Sequence, residues 1–411
     1  MGEEAKRCAV VTGANKGIGY GICKKLASHG ILVVLTARNE ERGLKAVENL
    51  KEFGLSDFVV FHQLDVTDPS SVASLASFIK TRFGKLDILV NNAGVPGGIV
   101  NGENLFKVNR REVFDWNLVV HQSYELAEEC VEIGFFGTER VTEALLPLLQ
   151  LSISPRIVNV SSRIGMLQNI PNEWARGVFG DIENLTNEKL GEVLREFLKD
   201  YKEGSLETKN WPPAVSGCTM AKAAVNGYTR MLAKKFPHFR INCLCPGFVK
   251  TDINQNFGLL SIDEGAENPV RLALLPDNAP SGLFYSKDEN IPNGRPKEVL
   301  SDVGNLTEEM IDDIVNEFLK DFKEGTLGTK DWPIGMSAYS VSKAALNAYT
   351  RILAKKYPSF CINALCPGFV KTHMNHNTGY LTPDEGAVKL ALLPSNSPSG
   401  LFYFQTEKGS F

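Results

Sequence analysis

Val10-Val11-Thr12-Gly13-Ala14-Asn15-Lys16-Gly17-Ile18-Gly19 is an apolar run that breaks into three glycines and then into an amphipathic segment. Gly13 permits a tight turn after a strand, Gly17 lets backbone N–H groups approach a pyrophosphate, and Gly19 lets the following helix pack close to the sheet. A helix starting near Ile18 presents unpaired N–H groups and the positive end of its dipole, which favours an anion there. Glycine-rich turns also join strands to helices with no ligand, so context decides. Here Cys8 to Val11 precedes the glycines, Ile18, Ile22 and Leu26 follow at helical spacing, and a second apolar run spans Ile31 to Leu35. That is a βαβ unit.

After Leu35 the chain reads Thr36-Ala37-Arg38-Asn39, where a dinucleotide-binding fold places the adenosine ribose. An acidic residue would bind the 2′-hydroxyl of NAD. Arg38 stands there instead, and with Lys16 in the glycine turn it predicts a 2′-phosphate and hence NADPH/NADP+; the alternative is two solvated surface cations. Phe58 to Leu64 reads as a third strand ending in Asp65-Val66, whose carboxylate suits the adenine amino group. Leu86 to Val90 reads as a fourth, ending in Asn91-Asn92-Ala93-Gly94, small and amide side chains that suit close backbone approach to a cofactor. Tyr124 to Leu149 reads as helix, and Arg156 to Val160 as a fifth strand ending in Ser161-Ser162. The predicted fold is α/β, a Rossmann-type doubly wound parallel sheet with helices on both faces.

Composition narrows the partners. A net charge of −4 over 411 residues gives no basic field for nucleic acid or an anionic membrane. No apolar run approaches the ~20 residues of a bilayer span, and Met1 to Lys6 lacks a signal-peptide core. These features predict a soluble cytoplasmic protein without nucleic-acid or membrane partners. Eight cysteines without C-x-x-C spacing read as reduced thiols, and six scattered histidines give no metal pattern.

The last third of the chain repeats what precedes it. Tyr228 to Thr251 and Tyr349 to Thr372 agree at 19 of 24 positions, and Trp211 pairs with Trp332 and Lys222 with Lys343 at a constant offset of 121. The expected organisation is a dinucleotide-binding domain over 1–285, a linker over 286–299 and a second copy of the C-terminal half over 300–411. A sheet with five strands from the front half needs one such C-terminal half to close it, so the copies compete for one place.

Thr12-Gly13-x3-Gly17-x-Gly19, Asn91-Asn92-Ala93-Gly94, Asn159-Val160-Ser161-Ser162 and Cys245-Pro246-Gly247 resemble the short-chain dehydrogenase/reductase family. Thr36-Ala37-Arg38, His62-Gln63-Leu64-Asp65 and the Trp-Pro before the long helix resemble its monomeric carbonyl-reductase branch. The resemblance implies reduction of a small apolar ketone or aldehyde by NADPH. It implies a cofactor site of Gly13, Asn15, Lys16, Gly17, Ile18, Gly19, Arg38, Asp65, Val66 and Asn92, with either Val249-Lys250-Thr251 of the first copy or Val370-Lys371-Thr372 of the second, where Val370 and Thr372 are the candidates, toward the nicotinamide carboxamide. It further implies that Ser162 orients the carbonyl and that a Tyr-x-x-x-Lys pair supplies the proton, the lysine also holding the nicotinamide ribose. The second copy has that pair as Tyr339 and Lys343, whereas the first has Cys218 and Lys222. A thiol is a weak donor and shorter by a ring, so the first copy reads as nearly inactive.

Gly134 stands where the family's relay asparagine is expected. Ser162 and Cys218 lie 56 residues apart, and the insertion between them resembles a lid over the family's tetramer face, which implies a monomer unless the spare half swaps between two molecules. Two readings stay open. In one the second copy completes the site and the protein is a reductase with Ser162, Tyr339 and Lys343 as catalytic residues. In the other the first copy closes the sheet at lower contact order and leaves a catalytically weak dinucleotide-binding protein.

Overall fold

The computed structural model describes residues 7–100, 120–258 and 260–286, and beyond these 295–302, 304–327, 332, 337–366, 370, 372, 383–384, 399–404 and 407–409. Most of the expected linker, Lys371 and the stretch 101–119 lie outside the described residues. Those described form two compact units, one numbered up to 286 and one from 295 onward.

In the first unit, apart from Ile99–Val100 and Val120–His121, which pair separately, the strands are β1 (Cys8–Val11), β2 (Leu32–Ala37), β3 (Val59–Gln63), β4 (Ile88–Asn91), β5 (Arg156–Val160), β6 (Arg240–Cys245) and β7 (Phe284–Ser286). They form one sheet in the order β3-β2-β1-β4-β5-β6-β7, with every pairing parallel. Between them run α1 (Gly17–Ser28), α2 (Glu40–Lys51), α3 (Pro69–Phe83), α4 (Tyr124–Val131), α5 (Gly137–Leu149), α6 (Glu173–Gly180), α7 (Asn187–Lys202), α8 (Ser216–Lys235) and α9 (Ile262–Ala273).

Alternation along the strands explains the two layers of helices. Val10, Val34, Leu89, Ile157 and Ile241 point into one buried cluster with residues of α3, α5 and α8. Their neighbours Val11, Val33, Leu35, Ile88, Val90 and Leu244 point into a second, with residues of α1, α2 and α9. Each such fully buried side chain contributes about 1.5–3 kcal/mol. A strand buried on both faces therefore shows no regular polar alternation, which explains the unbroken apolar stretches Ala9-Val10-Val11 and Ile88-Leu89-Val90.

The structure settles which copy closes the sheet: β6 and β7, which follow α8 of the first copy, pair beyond β5. The expected helix Tyr124 to Leu149 is interrupted by a π-helical turn over Glu132–Phe136, where one extra residue per turn places Gly134 beside Ala221 of α8.

The second unit contains α10 (Arg295–Ser301), α11 (Glu308–Glu324) and α12 (Ser337–Lys356). Its short strands β8 (Ala364–Cys366), β9 (Phe402–Phe404) and β10 (Glu407–Gly409) form a small sheet. The bounds of α12 are those of α8 shifted by 121. Local contacts recur too: Trp211 Nε1 donates to Asp200 Oδ2 at 2.8 Å, and Trp332 Nε1 to Asp321 Oδ2 at 2.8 Å. Leu300, Ile311, Ile314, Phe318, Trp332, Val341 and Ala348 form its core. The surroundings differ, because Tyr228 and Phe239 are 0% exposed while their counterparts Tyr349 and Phe360 are 39% and 63% exposed.

Candidate active site

The glycine turn is held by the end of β4. Thr12 Oγ1 accepts from the backbone N–H groups of Asn92 and Ala93 at 2.9 and 3.0 Å. Asn92 Nδ2 donates to the carbonyls of Thr12 and Gly13 at 2.9 and 3.1 Å. Gly13 has φ +62°, and a Cβ there would lie 2.8 Å from the Ala93 Cα. A Cβ at Gly19 would come within 2.6 Å of Asn92 Nδ2, so this glycine admits the brace as well as close packing. Gly17, at φ +58°, lies against Thr251.

At the start of α1, Lys16 occupies the N-cap with no side-chain cap, and the first turn holds no acidic residue. Its leading N–H groups are therefore left without a capping side chain or carboxylate from the helix itself, an arrangement that fits a pyrophosphate. Asn15 and Ile18 line this turn half-buried. Lys16 Nζ pairs with Asp252 Oδ2 at 2.7 Å, both side chains well exposed, so the bond is weak and its ammonium is exchangeable.

Arg38 is exposed just past β2, its carbonyl accepting from Gln63 Nε2 at 2.9 Å. Past β3, Asp65 Oδ1 accepts from the backbone N–H and hydroxyl of Thr67 at 3.0 and 2.7 Å, and Val66 is buried. Along the strand ends runs a buried amide chain in which Asn91 Nδ2 donates to Thr142 Oγ1 and Asn159 Oδ1, and Asn159 Nδ2 to Thr229 Oγ1. It ties β4 and β5 to α5 and α8.

At the end of β5 the two serines part. Ser161 is buried and donates to Asn226 Oδ1 at 2.6 Å, while Ser162 is half-buried and its hydroxyl accepts from the Ile164 N–H at 3.3 Å. The helix brought to them is α8. Lys222 Nζ donates to the Val160 carbonyl at 2.8 Å, Asn226 Nδ2 donates to the Gly165 carbonyl at 3.0 Å, and a Cβ at Gly165 would lie 2.4 Å from the Lys222 carbonyl carbon. Cys218, one turn before Lys222, is half-buried. Asn226 escaped the sequence reading, although its i+4 position after Lys222 puts it on the same helix face.

Tyr339 and Lys343 lie on α12 of the second unit, where Tyr339 is 50% exposed and Lys343 Nζ stands 5.5 Å from its ring centre. Val370 is half-buried and Thr372 exposed in that unit. Ser162 thus shares its unit with the thiol-bearing helix.

A short chain dehydrogenase family model matches residues 7–173 and 326–380. The chain belongs to the short-chain dehydrogenase family. The second matched segment contains Tyr339 and Lys343. The chain is similar to the (+)-neomenthol dehydrogenase of Arabidopsis thaliana, 56% identical over 292 residues that cover 70% of this chain and 99% of that protein. It is 39% identical to carbonyl reductase [NADPH] 1 of Mus musculus over 290 residues, 67% of this chain and 94% of that one. Among solved structures, salutaridine reductase from Papaver somniferum superposes with a TM-score of 0.64 at 51% identity, covering 68% of this chain and 99% of that chain.

Proposed function

We propose that this protein is an NADP(H)-dependent oxidoreductase that reduces a small apolar ketone or aldehyde to an alcohol. The observation that carries this reading is the braced glycine turn below an uncapped helix start, with Arg38 exposed past the next strand. The names of the relatives, two reductases and a dehydrogenase, support the same class. When bound, NADPH supplies a hydride. The chain's own residues bind it through Gly13, Gly17, Gly19 and the α1 N–H groups, orient the carbonyl through the Ser162 hydroxyl, and deliver a proton to the developing alkoxide.

For that proton the reading assigns Tyr339 with Lys343, since an ammonium at i+4 favours the ionised phenol. The family model's match to the second copy supports this assignment.

A second reading is favoured by the bond from Lys222 to Val160, which puts Cys218 rather than a phenol on the helix at Ser162. It makes the chain an NADP(H) binder with little turnover. Steady-state reduction of a carbonyl panel by the wild type and Tyr339→Phe separates the two. The reductase reading expects turnover that Tyr339→Phe lowers about 100-fold or more. Tight NADPH binding with negligible turnover, indifferent to Tyr339→Phe, would establish the second.

A further inference from the structure

Two thiols meet where α4 and α8 converge beside the proposed carbonyl site. Cys130 on α4 is buried and Cys218 on α8 half-buried, and each thiol perturbs the ionisation of the other. Cys130 Sγ also lies 3.4 Å from the Val95 carbonyl. Gly97 fits against both residues, since a Cβ there would lie 3.0 Å from Cys130 Sγ and 3.3 Å from the Cys218 nitrogen. The Lys222 ammonium stands one turn along α8 from Cys218. Nothing in the reductase reading uses either sulfur.

We propose that Cys130 and Cys218 are a redox-active thiol pair that a hydroperoxide converts to a disulfide, with Cys218 attacking and Cys130 resolving. In the first step the Cys218 thiolate attacks the distal peroxide oxygen. The O–O bond breaks, an S–O bond forms, and the alcohol, or water, leaves with a proton. In the second, the Cys130 sulfur displaces the sulfenic hydroxyl, which departs as water with the Cys130 proton. The net reaction takes two thiols and one hydroperoxide to one disulfide, one alcohol and one water.

The environment sorts the roles. The neighbouring Cys130 thiol, with the nearby Lys222 charge, holds the Cys218 thiol below the usual thiol range, whereas the Cys130 thiol is held well above it. Burial pushes Cys8 and Cys243 up to about 12, which leaves those thiols inert. A thiolate flanked by a cation and a second thiol is the arrangement that oxidises first.

The test is titration of the full-length protein with hydrogen peroxide, followed by maleimide counting of free thiols and peptide mapping. The expected result is paired loss of two thiols, a linked peptide joining Cys130 to Cys218, and recovery of both with dithiothreitol. Cys130→Ser should hold Cys218 as a sulfenic acid that dimedone traps, and Cys218→Ser should leave Cys130 unmodified at the same dose. Circular dichroism shows that each variant folds, and Cys130→Ala repeats the first should the serine be poorly tolerated. Oxidation that spares Cys218, or that links it to any cysteine but Cys130, overturns the proposal. So does equal sulfenic trapping in the wild type and Cys130→Ser.

Discussion

Lys222 Nζ and the carbonyl oxygen of Val160 lie 2.8 Å apart, which seats α8 on the end of β5 with its ammonium one turn from Cys218. A phenol placed at Cys218 would meet that ammonium at i, i+4 spacing. On the second reading, in which no phenol serves the Ser162 site of the wild type, Cys218→Tyr is expected to raise turnover on carbonyl substrates about 100-fold, the scale of a positioned general acid, and Lys222→Met in that background should remove the rise. Initial rates of NADPH oxidation read both. An unchanged rate in Cys218→Tyr, with the fold intact, would show that this helix does not face the reacting carbonyl.

Gly13→Ala introduces a Cβ 2.8 Å from the Ala93 Cα at a residue with φ +62°. Both the left-handed backbone and the contact oppose it. We expect at least tenfold weaker NADPH binding by fluorescence titration, whereas Gly54→Ala, with the same sign of φ but open space around it, should leave binding unchanged.

Asn159 is 0% exposed and bonds to both Asn91 and Thr229. Asn159→Ala strands those two partners away from water. A loss of about 2–3 kcal/mol is expected in urea denaturation of the first unit, since each unsatisfied buried polar group costs roughly 1–3 kcal/mol. A loss under about 0.5 kcal/mol would mean that the chain of amides is not a unit.

Burial, with the nearby Glu143 carboxylate next, pushes the Glu139 carboxyl up to about 7. Glu188 adds to the rise, and Arg140 and Arg195 oppose it. The folded protein then holds a proton that the unfolded chain releases near pH 4.5. This contribution is complete below that pH and is lost as pH rises through about 7. Glu139→Gln should be more stable than the wild type at pH 8, by about 2 kcal/mol, with the difference vanishing toward pH 5. Thermal melts across that range check the sign.

The doubly wound core was legible because its strands are buried on both faces, so that Val10-Val11 or Leu89-Val90 admits no polar residue and stands out against the polar turns. Arg156 to Val160 matches β5 to the residue, since Pro155 and the two serines mark its ends. The fourth strand is Ile88–Asn91 in place of the expected Leu86 to Val90, although Asp87 already exchanges backbone bonds with Cys8 and Arg156 while its carboxylate accepts from the Cys8 N–H and the Ser152 hydroxyl. Within the site, the glycines and Asn92 could be read from the backbone geometry they permit. The choice between copies could not. Nineteen identities in 24 positions make the two segments locally equivalent, and the preference for β6 over β8 beside β5 depends on tertiary packing that no local pattern encodes. The Cys130–Cys218 meeting was hidden for the same reason, being set by how α4 crosses α8 at a separation of 88 positions.

The Thr12–Asn92 brace has a kinetic corollary. Four hydrogen bonds fix the turn through protein atoms alone, so the loss of loop freedom is incurred when the polypeptide folds and not when a nucleotide arrives. Association should accordingly be a single second-order phase whose observed rate climbs linearly with nucleotide concentration, with no plateau from a slow rearrangement of this turn.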